Sequence, residues 1–251
     1  MIIKSRTLST LLIFNVVFIL ASCTNLQESE LRQVHKELKT MRTDISGLSE
    51  QVAKLNRKVM PQEPRRMTID LGRSPVQGER AAKVGMVEFS DFQCPFCRRF
   101  HLQVYPDIKK NYIDTGKLML MFRDLPLDIH PLAKGAAIAA NCAANQDNYY
   151  NFVNILFKNQ KRLGSNLYME KAKELGLNVK AFELCLSDPA PLSKVEQDLS
   201  YGEDLGISGT PTFFIGRIKG NKLVDAIPIV GAQPYSVFSR IINTYLNTIK
   251  H

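Results

Sequence analysis

The feature that most constrains this chain is a short one. An apolar run, Val84 to Phe89, ends in a tight connection, and two cysteines, Cys94 and Cys97, then open a segment whose apolar residues recur at helical spacing. The pattern predicts a strand feeding a helix that begins Cys94-Pro95-Phe96-Cys97. A thiol at a helix N-terminus faces unpaired backbone N–H groups and the positive end of the helix dipole, and both favour the thiolate. Cys94 is therefore the candidate nucleophile. Cys97, one turn further in, is shielded and suits a resolving thiol. Pro95 fits the first helical position, where its missing N–H costs nothing.

Two other chemistries use paired cysteines. Zinc would find three ligands in Cys94, Cys97 and His101, but no fourth follows, and the reading is no metal. Covalent haem needs His directly after the second cysteine, and Arg98 stands there. The formal charge of +9 is basic, yet Lys and Arg are scattered rather than striped beside aromatics, so a nucleic-acid partner is not indicated. With 45% hydrophobic and 23% charged residues in 251, the composition is that of a globular chain with a sizeable core.

At the N-terminus, Lys4 and Arg6 precede an apolar run, Leu11 to Leu20, too short to span a bilayer. The order of charge, apolar run and small residues is that of an export signal, residues 1–22. Leu20-Ala21-Ser22-Cys23 resembles the bacterial lipobox, which implies that Cys23 carries a lipid. The alternative is an incidental cysteine in a cleaved leader. Thr24 is not the Asp that retains many such lipoproteins in an inner membrane, so outer-membrane attachment facing the periplasm is the expectation in a two-membrane bacterium.

Next comes a heptad. Leu31, Leu38, Ile45, Val52 and Val59 fall at a, and Val34, Met41, Leu48 and Leu55 at d. So narrow a seam suits a partner helix, and residues 23–60 are read as a coiled-coil stalk about 43 Å long over its seam. Ile or Val at a with Leu at d favours a parallel homodimer, while Leu31 and Leu38 at a leave a trimer open. The competing reading is an amphipathic helix folded back on its own domain. Pro61 and Pro64, with Arg65 and Arg66, end the helix and make a linker, residues 61–66.

Residues 67–251 read as an α/β domain. Met67 to Leu71 is an edge strand, followed by turn chemistry at Gly72, Pro75 and Gly78. The strand Lys83 to Phe89, a helix from Cys94 to about Thr115 bent at Pro106, and a strand Lys117 to Arg123 make a parallel crossover. Residues 129–206 then show five helical patterns and almost no strand signal, an inserted helical subdomain. Strands resume at Thr212 to Ile215 and Lys222 to Val230, and Tyr235 to Lys250 closes as a helix.

The stretch Val87 to His101, with Gly209-Thr210-Pro211-Thr212-Phe213-Phe214-Ile215 downstream and helices between, resembles the DsbA-type thiol–disulfide oxidoreductases. The resemblance covers about Met67 to the C-terminus and implies a thioredoxin fold with a helical insertion. It implies that Cys94 and Cys97 are the redox pair and that Pro211 is a cis-proline facing it; an ordinary trans turn is the alternative. Thr210 would then present its backbone to an extended substrate, beside Pro95 and Phe96. Glu88 matches an acidic residue that the family keeps beneath the disulfide, placed to exchange a proton with Cys97; otherwise it is a half-buried strand residue with a lysine partner. His101, one turn beyond Cys97, could tune the thiolate but is read as a surface or packing residue, and His130, before Pro131, as a helix-start residue.

Cys142 and Cys185 remain, in two helices of the insertion. In an oxidising compartment they are expected to pair as a structural disulfide if their Cα atoms come within range, and otherwise to stay as two buried thiols. Phe96 stands where strongly oxidising members carry His and cannot donate to the Cys94 thiolate, so the disulfide should be less oxidising. Thr210, where those oxidases have Val, resembles the isomerase and reductase branches. The expectation is an enzyme without cofactors that forms or isomerises disulfides in cysteine-containing exported proteins, with a membrane redox partner that reoxidises or reduces it. The alternative is a non-catalytic envelope lipoprotein that binds through coiled coil and fold, and reduction of insulin disulfides separates the two.

Overall fold

The computed structural model describes residues 30–54 and 66–248, which fall in two compact units divided at Pro64. The leader of residues 1–22, Cys23, the seam positions Leu55 and Val59, and the linker up to Arg65 lie outside the described residues. Residues 30–54 form one continuous helix, α1. Its seam residues Leu31, Val34, Leu38, Met41, Ile45, Leu48 and Val52 are all exposed, from 50% at Val52 to 68% at Leu31. No described helix is long and apolar enough to cross a membrane.

The second unit is built on a six-stranded sheet of order β1-β6-β5-β3-β4-β2. Its strands are β1 (Met67–Asp70), β2 (Val76–Gln77), β3 (Val84–Ser90), β4 (Leu118–Asp124), β5 (Thr212–Lys219) and β6 (Lys222–Val230). Only β3 and β4 run parallel, joined by the helical crossover; β3–β5, β5–β6, β1–β6 and β2–β4 are antiparallel. Strand β3 lies inside the sheet and all seven of its residues are buried, which explains a nearly continuous apolar run. Its side chains still alternate. Val84 and Met86 pack with helices α2 (Pro95–Gln103), α3 (Tyr105–Ile108) and α9 (Tyr235–Thr248). Val87 and Phe89 pack on the opposite face, where Leu199, Tyr201 and Leu205 cover the sheet.

Two sequence expectations differ from the structure here. The helix anticipated from Cys94 to Thr115 comes in pieces: α2 stops at Val104, α3 follows, and a widened π-type turn occupies Lys109–Ile113. Pro106 has no N–H for the carbonyl four residues back, so the ladder must break near it. The turn segment after Gly72 contains β2, which pairs Val76 with Met121 and Gln77 with Leu120. Two residues carry no readable alternation.

The insertion is five helices: α4 (Ala133–Ala144), α5 (Tyr149–Lys158), α6 (Ser165–Glu174), α7 (Val179–Leu186) and α8 (Pro189–Asp204). They enclose a core that also takes in Phe92, Cys97 and Phe122, with Phe152, Leu156, Phe157, Phe182 and Val195 fully buried. Each such side chain contributes about 1.5–3 kcal/mol of burial. Helix α8 returns to the sheet at Gly202, where a Cβ would lie 2.6 Å from Leu125 Cδ1. A buried ion pair fixes the junction: Arg123 Nη1 meets Asp198 Oδ1 at 2.7 Å, and Arg123 Nη2 donates to the Asp70 carbonyl at 2.8 Å. Asp198 Oδ2 also accepts from the Asp124 amide and from Lys194 Nζ, so its charge is fully engaged.

Cys142 of α4 and Cys185 of α7 form a disulfide, with Cα atoms 5.7 Å apart and a sequence separation of 43. Constraining the unfolded chain over a loop of that size is worth about 2–4 kcal/mol. The double variant Cys142→Ala/Cys185→Ala should therefore lose about 2–4 kcal/mol in denaturant unfolding, while Cys94 alkylates at the unaltered rate.

Candidate active site

The cysteine helix is positioned by its entry loop. Beyond β3, Asp91 turns its buried carboxylate back on the chain, and Oδ1 accepts from the amides of Gln93 at 2.7 Å and Cys94 at 3.1 Å. Oδ2 accepts from the Leu127 amide at 2.8 Å and meets His130 Nδ1 at 2.8 Å, tying in the loop that leads to α4. Cys94 is the N-cap of α2, Pro95 occupies the first turn, and the Cys94 carbonyl takes the first helical bond from Arg98. The insertion closes the loop from the other side. Gln160 Nε2 donates to the carbonyls of Phe92 at 2.8 Å and Cys94 at 2.9 Å.

Cys94 and Cys97 are present as free thiols, 3% and 0% exposed. Cys94 is lowered from 9.0 to about 5, chiefly because the Cys97 thiol donates to it, with the Thr210 hydroxyl and the backbone amides of Cys97 and Phe96 adding to the effect against the cost of burial. Burial pushes Cys97 well above its ordinary value, and the neighbouring Cys94 pushes the same way. One sulfur is a thiolate at neutral pH and the other holds its proton. That asymmetry is what a nucleophile and a resolving thiol require.

Facing Cys94 is the loop before β5. The Thr210–Pro211 peptide bond is cis, and the Thr210 carbonyl lies 3.4 Å from Cys94 Sγ. Thr212 Oγ1 donates to the Gly209 carbonyl at 2.8 Å and pins the turn. The buried Thr210 hydroxyl faces the Cys94 sulfur and helps to lower it. Phe96 projects away from the sulfurs, 53% exposed, with the Arg99 guanidinium 5.2 Å from its ring centre. Its contribution to the thiolate is the backbone N–H.

Glu88 is fully buried on the α2 face of β3, and the residue it meets is His101. His101 Nε2 lies 2.9 Å from Oε1 and 3.1 Å from Oε2, and the imidazole stacks on Phe157 with centroids 4.1 Å apart. His101 is thus an interior residue, 4% exposed, and a histidine stands where the alternative reading of Glu88 had a lysine. Asp91, Gln160 and the contact between Glu88 and His101 are what sequence reasoning passed over. Asp91 had a signal, since an Asp three residues ahead of a helix start commonly accepts from the amides that follow it. Gln160 had none, because its reach across to the loop depends on tertiary packing.

The thiolate predicts a pH profile. Alkylation of Cys94 by iodoacetamide should be flat at neutral pH and fall with a midpoint at about 5, roughly tenfold per pH unit below it. The unfolded thiol keeps its ordinary 9.0, so the reduced chain gains stability as pH rises from about 5 to 9 and loses it as pH falls through 5. A midpoint near 9 would remove the nucleophile assignment.

A family model described as thioredoxin matches residues 70–227. Among curated proteins, the chain is 34% identical over 148 residues to the Na(+)/H(+) antiporter NhaA 3 of Salinispora tropica, covering 59% of this chain and 22% of that one. The chain thus spans under a quarter of that relative's length. It is 29% identical over 160 residues to the probable disulfide bond formation protein D of Bacillus anthracis, covering 60% of this chain and 73% of that one. Among solved structures, alpha-DsbA1 of Wolbachia pipientis is similar with a TM-score of 0.64 at 27% identity, over 77% of this chain and 96% of that one. BdbD of Bacillus subtilis shares the fold with a TM-score of 0.64 at 23% identity, over 74% of this chain and all of that one. With the match extending from β1 into β6, across the Cys94–Cys97 helix, the insertion and the Pro211 turn, the chain belongs to the thioredoxin family, in its DsbA-like form with an inserted helical subdomain.

Proposed function

We propose that the chain is a thiol–disulfide oxidoreductase that acts through Cys94 and Cys97 on cysteines of exported proteins. The observation that carries it is the split between the two sulfurs, with Cys94 lowered to about 5 and set against the Thr210 carbonyl, while Cys97 stays protonated beneath. In the oxidising direction, a substrate thiolate attacks Cys94 Sγ of the Cys94–Cys97 disulfide. The S–S bond breaks, a substrate–Cys94 bond forms, and Cys97 leaves with the electron pair and takes up a proton. A second substrate thiolate then attacks the substrate sulfur and releases Cys94 as a thiolate. A low-pKa thiol leaves faster, so the release step is the one that this site favours. The substrate is oxidised by two electrons and the Cys94–Cys97 pair reduced by two; a membrane redox partner resets the pair.

Residues around Cys94 suit an extended substrate. The Thr210 backbone faces the sulfur, and Phe96, Ile129, Leu132 and Val230 are exposed apolar side chains. Val230 is the register partner of Thr212, next to Pro211. Main-chain pairing with apolar contacts to alternate side chains is how an unfolded segment binds without a fixed sequence.

A second reading concerns assembly, and the exposed α1 seam favours it. The helix pairs with that of another copy as a parallel dimer, held at the envelope by lipid on Cys23. Two redox pairs on one coiled coil raise the effective concentration of thiols around a bound chain, which suits isomerisation of wrong disulfides. With Phe96 beside Cys94 and Thr210 before Pro211, the activity is weighted toward shuffling rather than strong oxidation.

Two experiments decide these points. Cys94→Ser should abolish insulin reduction, whereas Cys97→Ser should accumulate mixed disulfides through Cys94 on non-reducing gels; equal loss without adducts would remove the assignment. Ile45→Asp, a charge in the middle of the seam, should convert the oligomer to a monomer by light scattering. That variant should keep insulin reduction and lose most recovery of scrambled ribonuclease. Equal recovery at matched active-site concentration would leave a plain oxidase.

A further inference from the structure

Cys97 changes its proton in every turnover. It takes one up when the Cys94–Cys97 bond opens and gives one up before it attacks Cys94 again, yet it is fully buried, so the proton has to travel through the protein. The acid that the family resemblance points to is already engaged: both oxygens of Glu88 face His101 Nε2, at 2.9 and 3.1 Å. The side chain that faces the Cys97 sulfur from the sheet is Ser90, the buried last residue of β3. Its Oγ finds no nitrogen or oxygen partner among the described residues.

Beside Ser90 stands a second buried acid. Asp124, the last residue of β4, is its register partner in the parallel pair of β3 with β4. Paired residues on neighbouring strands share a face about 4.7–4.9 Å apart, so one rotation of a serine side chain carries its hydroxyl from one neighbour to the other. Asp124 Oδ2 accepts from Asn141 Nδ2 of α4 at 2.7 Å and lies 3.9 Å from Lys194 Nζ of α8. Oδ1 is buried without a partner among the described residues. A carboxylate oxygen so placed calls for a donor, and the Ser90 hydroxyl is the one that the strand register sets next to it.

The surroundings of Asp124 suit a group that gains and loses a proton. Burial raises its carboxyl from 3.8 to about 6, with Lys194 of α8 opposing, Asp198 of α8 adding and the Asn141 amide opposing. Tyr149 of α5 also feels this charge and keeps its own proton. Asn141 and Lys194, the two residues on Oδ2, line a cavity of about 230 Å³ that leads from the carboxyl to solvent. We propose that Asp124 is the proton reservoir for Cys97, reached through the Ser90 hydroxyl; the proposal rests on the redox assignment of Cys94 and Cys97 above. When the disulfide opens, Cys97 leaves with the S–S electron pair, Ser90 gives it a proton and takes one from Asp124, and the carboxylate recovers its proton from solvent past Lys194. When the disulfide closes, Cys97 passes its proton to Ser90 as Ser90 passes its own to the Asp124 carboxylate. The Cys97 thiolate then attacks the Cys94 sulfur of a mixed disulfide, and the other molecule leaves as a thiolate. The hydroxyl ends each step as it began.

Closing is measured on the full-length chain by mixing the reduced protein with glutathione disulfide and following the Cys94–glutathione adduct by acid quench and mass spectrometry. Decay of the adduct is unimolecular, so its pH dependence belongs to the chain. In the wild type the decay rate should rise with pH through about 6 and then flatten, because the Asp124 carboxylate accepts the proton only above that value. Asp124→Asn and Ser90→Ala should each slow decay at pH 7 by about tenfold or more and replace the plateau with a rise of about tenfold per pH unit, as hydroxide takes over as the base. Ser90→Ala leaves Asp124 and its partners in place, so it decides the case if Asp124→Asn does not fold. An adduct that decays in both variants at the wild-type rate, or a plateau that Glu88→Gln abolishes instead, would overturn the relay and leave the redox assignment standing. No adduct in the wild type would remove that assignment, and the relay with it.

Discussion

Four donors converge on the buried carboxylate of Asp91, and the redox end of the molecule is arranged around that convergence. Two are amides of the entry loop, Gln93 and Cys94, one is the Leu127 amide, and one is His130. A carboxylate that accepts several bonds in a low-dielectric site acts as a rigid node, because losing any partner leaves charge uncompensated. Through it the end of β3, the first turn of α2 and the loop into α4 share one position. The thiolate needs this, since backbone amides stabilise an anion only when they are held in place in advance.

The fold was legible where periodicity was long. The helices of the insertion and the strands on both sides of it show in their apolar spacing, and the five helical patterns start and stop within a few residues of α4 to α8. What was not legible has a common cause. β2 is two residues long, the break at Val104 comes from a proline two positions later, and Gln160 reaches the Cys94 carbonyl across 66 positions of chain. In the site, Cys94, Cys97 and Pro211 announce themselves by residue type and spacing. Glu88 shows as an acid in an apolar strand, but its partner does not, since nothing in spacing says that His101 turns inward to stack on Phe157.

The insertion is part of the site rather than an appendage to it. Phe92 of the entry loop stacks on Phe122 of β4 and leans on Phe157 of α5, and Arg98 Nε donates to the Phe157 carbonyl at 3.1 Å. Aromatic contacts of this kind fix orientation as well as burying area. The helical layer thereby carries one wall of the cysteine pocket, and the ion pair of Arg123, the next residue of β4, with Asp198 anchors that layer to the opposite face of the sheet.

The Cys142–Cys185 bond has a consequence for how the molecule comes into being. Each new copy leaves the ribosome with these two sulfurs reduced, and closing them withdraws two electrons that some acceptor must take. The newcomer's own Cys94 and Cys97 also arrive as thiols, so no copy supplies that acceptor for itself. Maturation is therefore ancestral: finished molecules, or another oxidant already in place, complete the newcomers. The working population tracks the electron-accepting capacity of its surroundings, and a lapse in that capacity persists as a shortage of the agent itself.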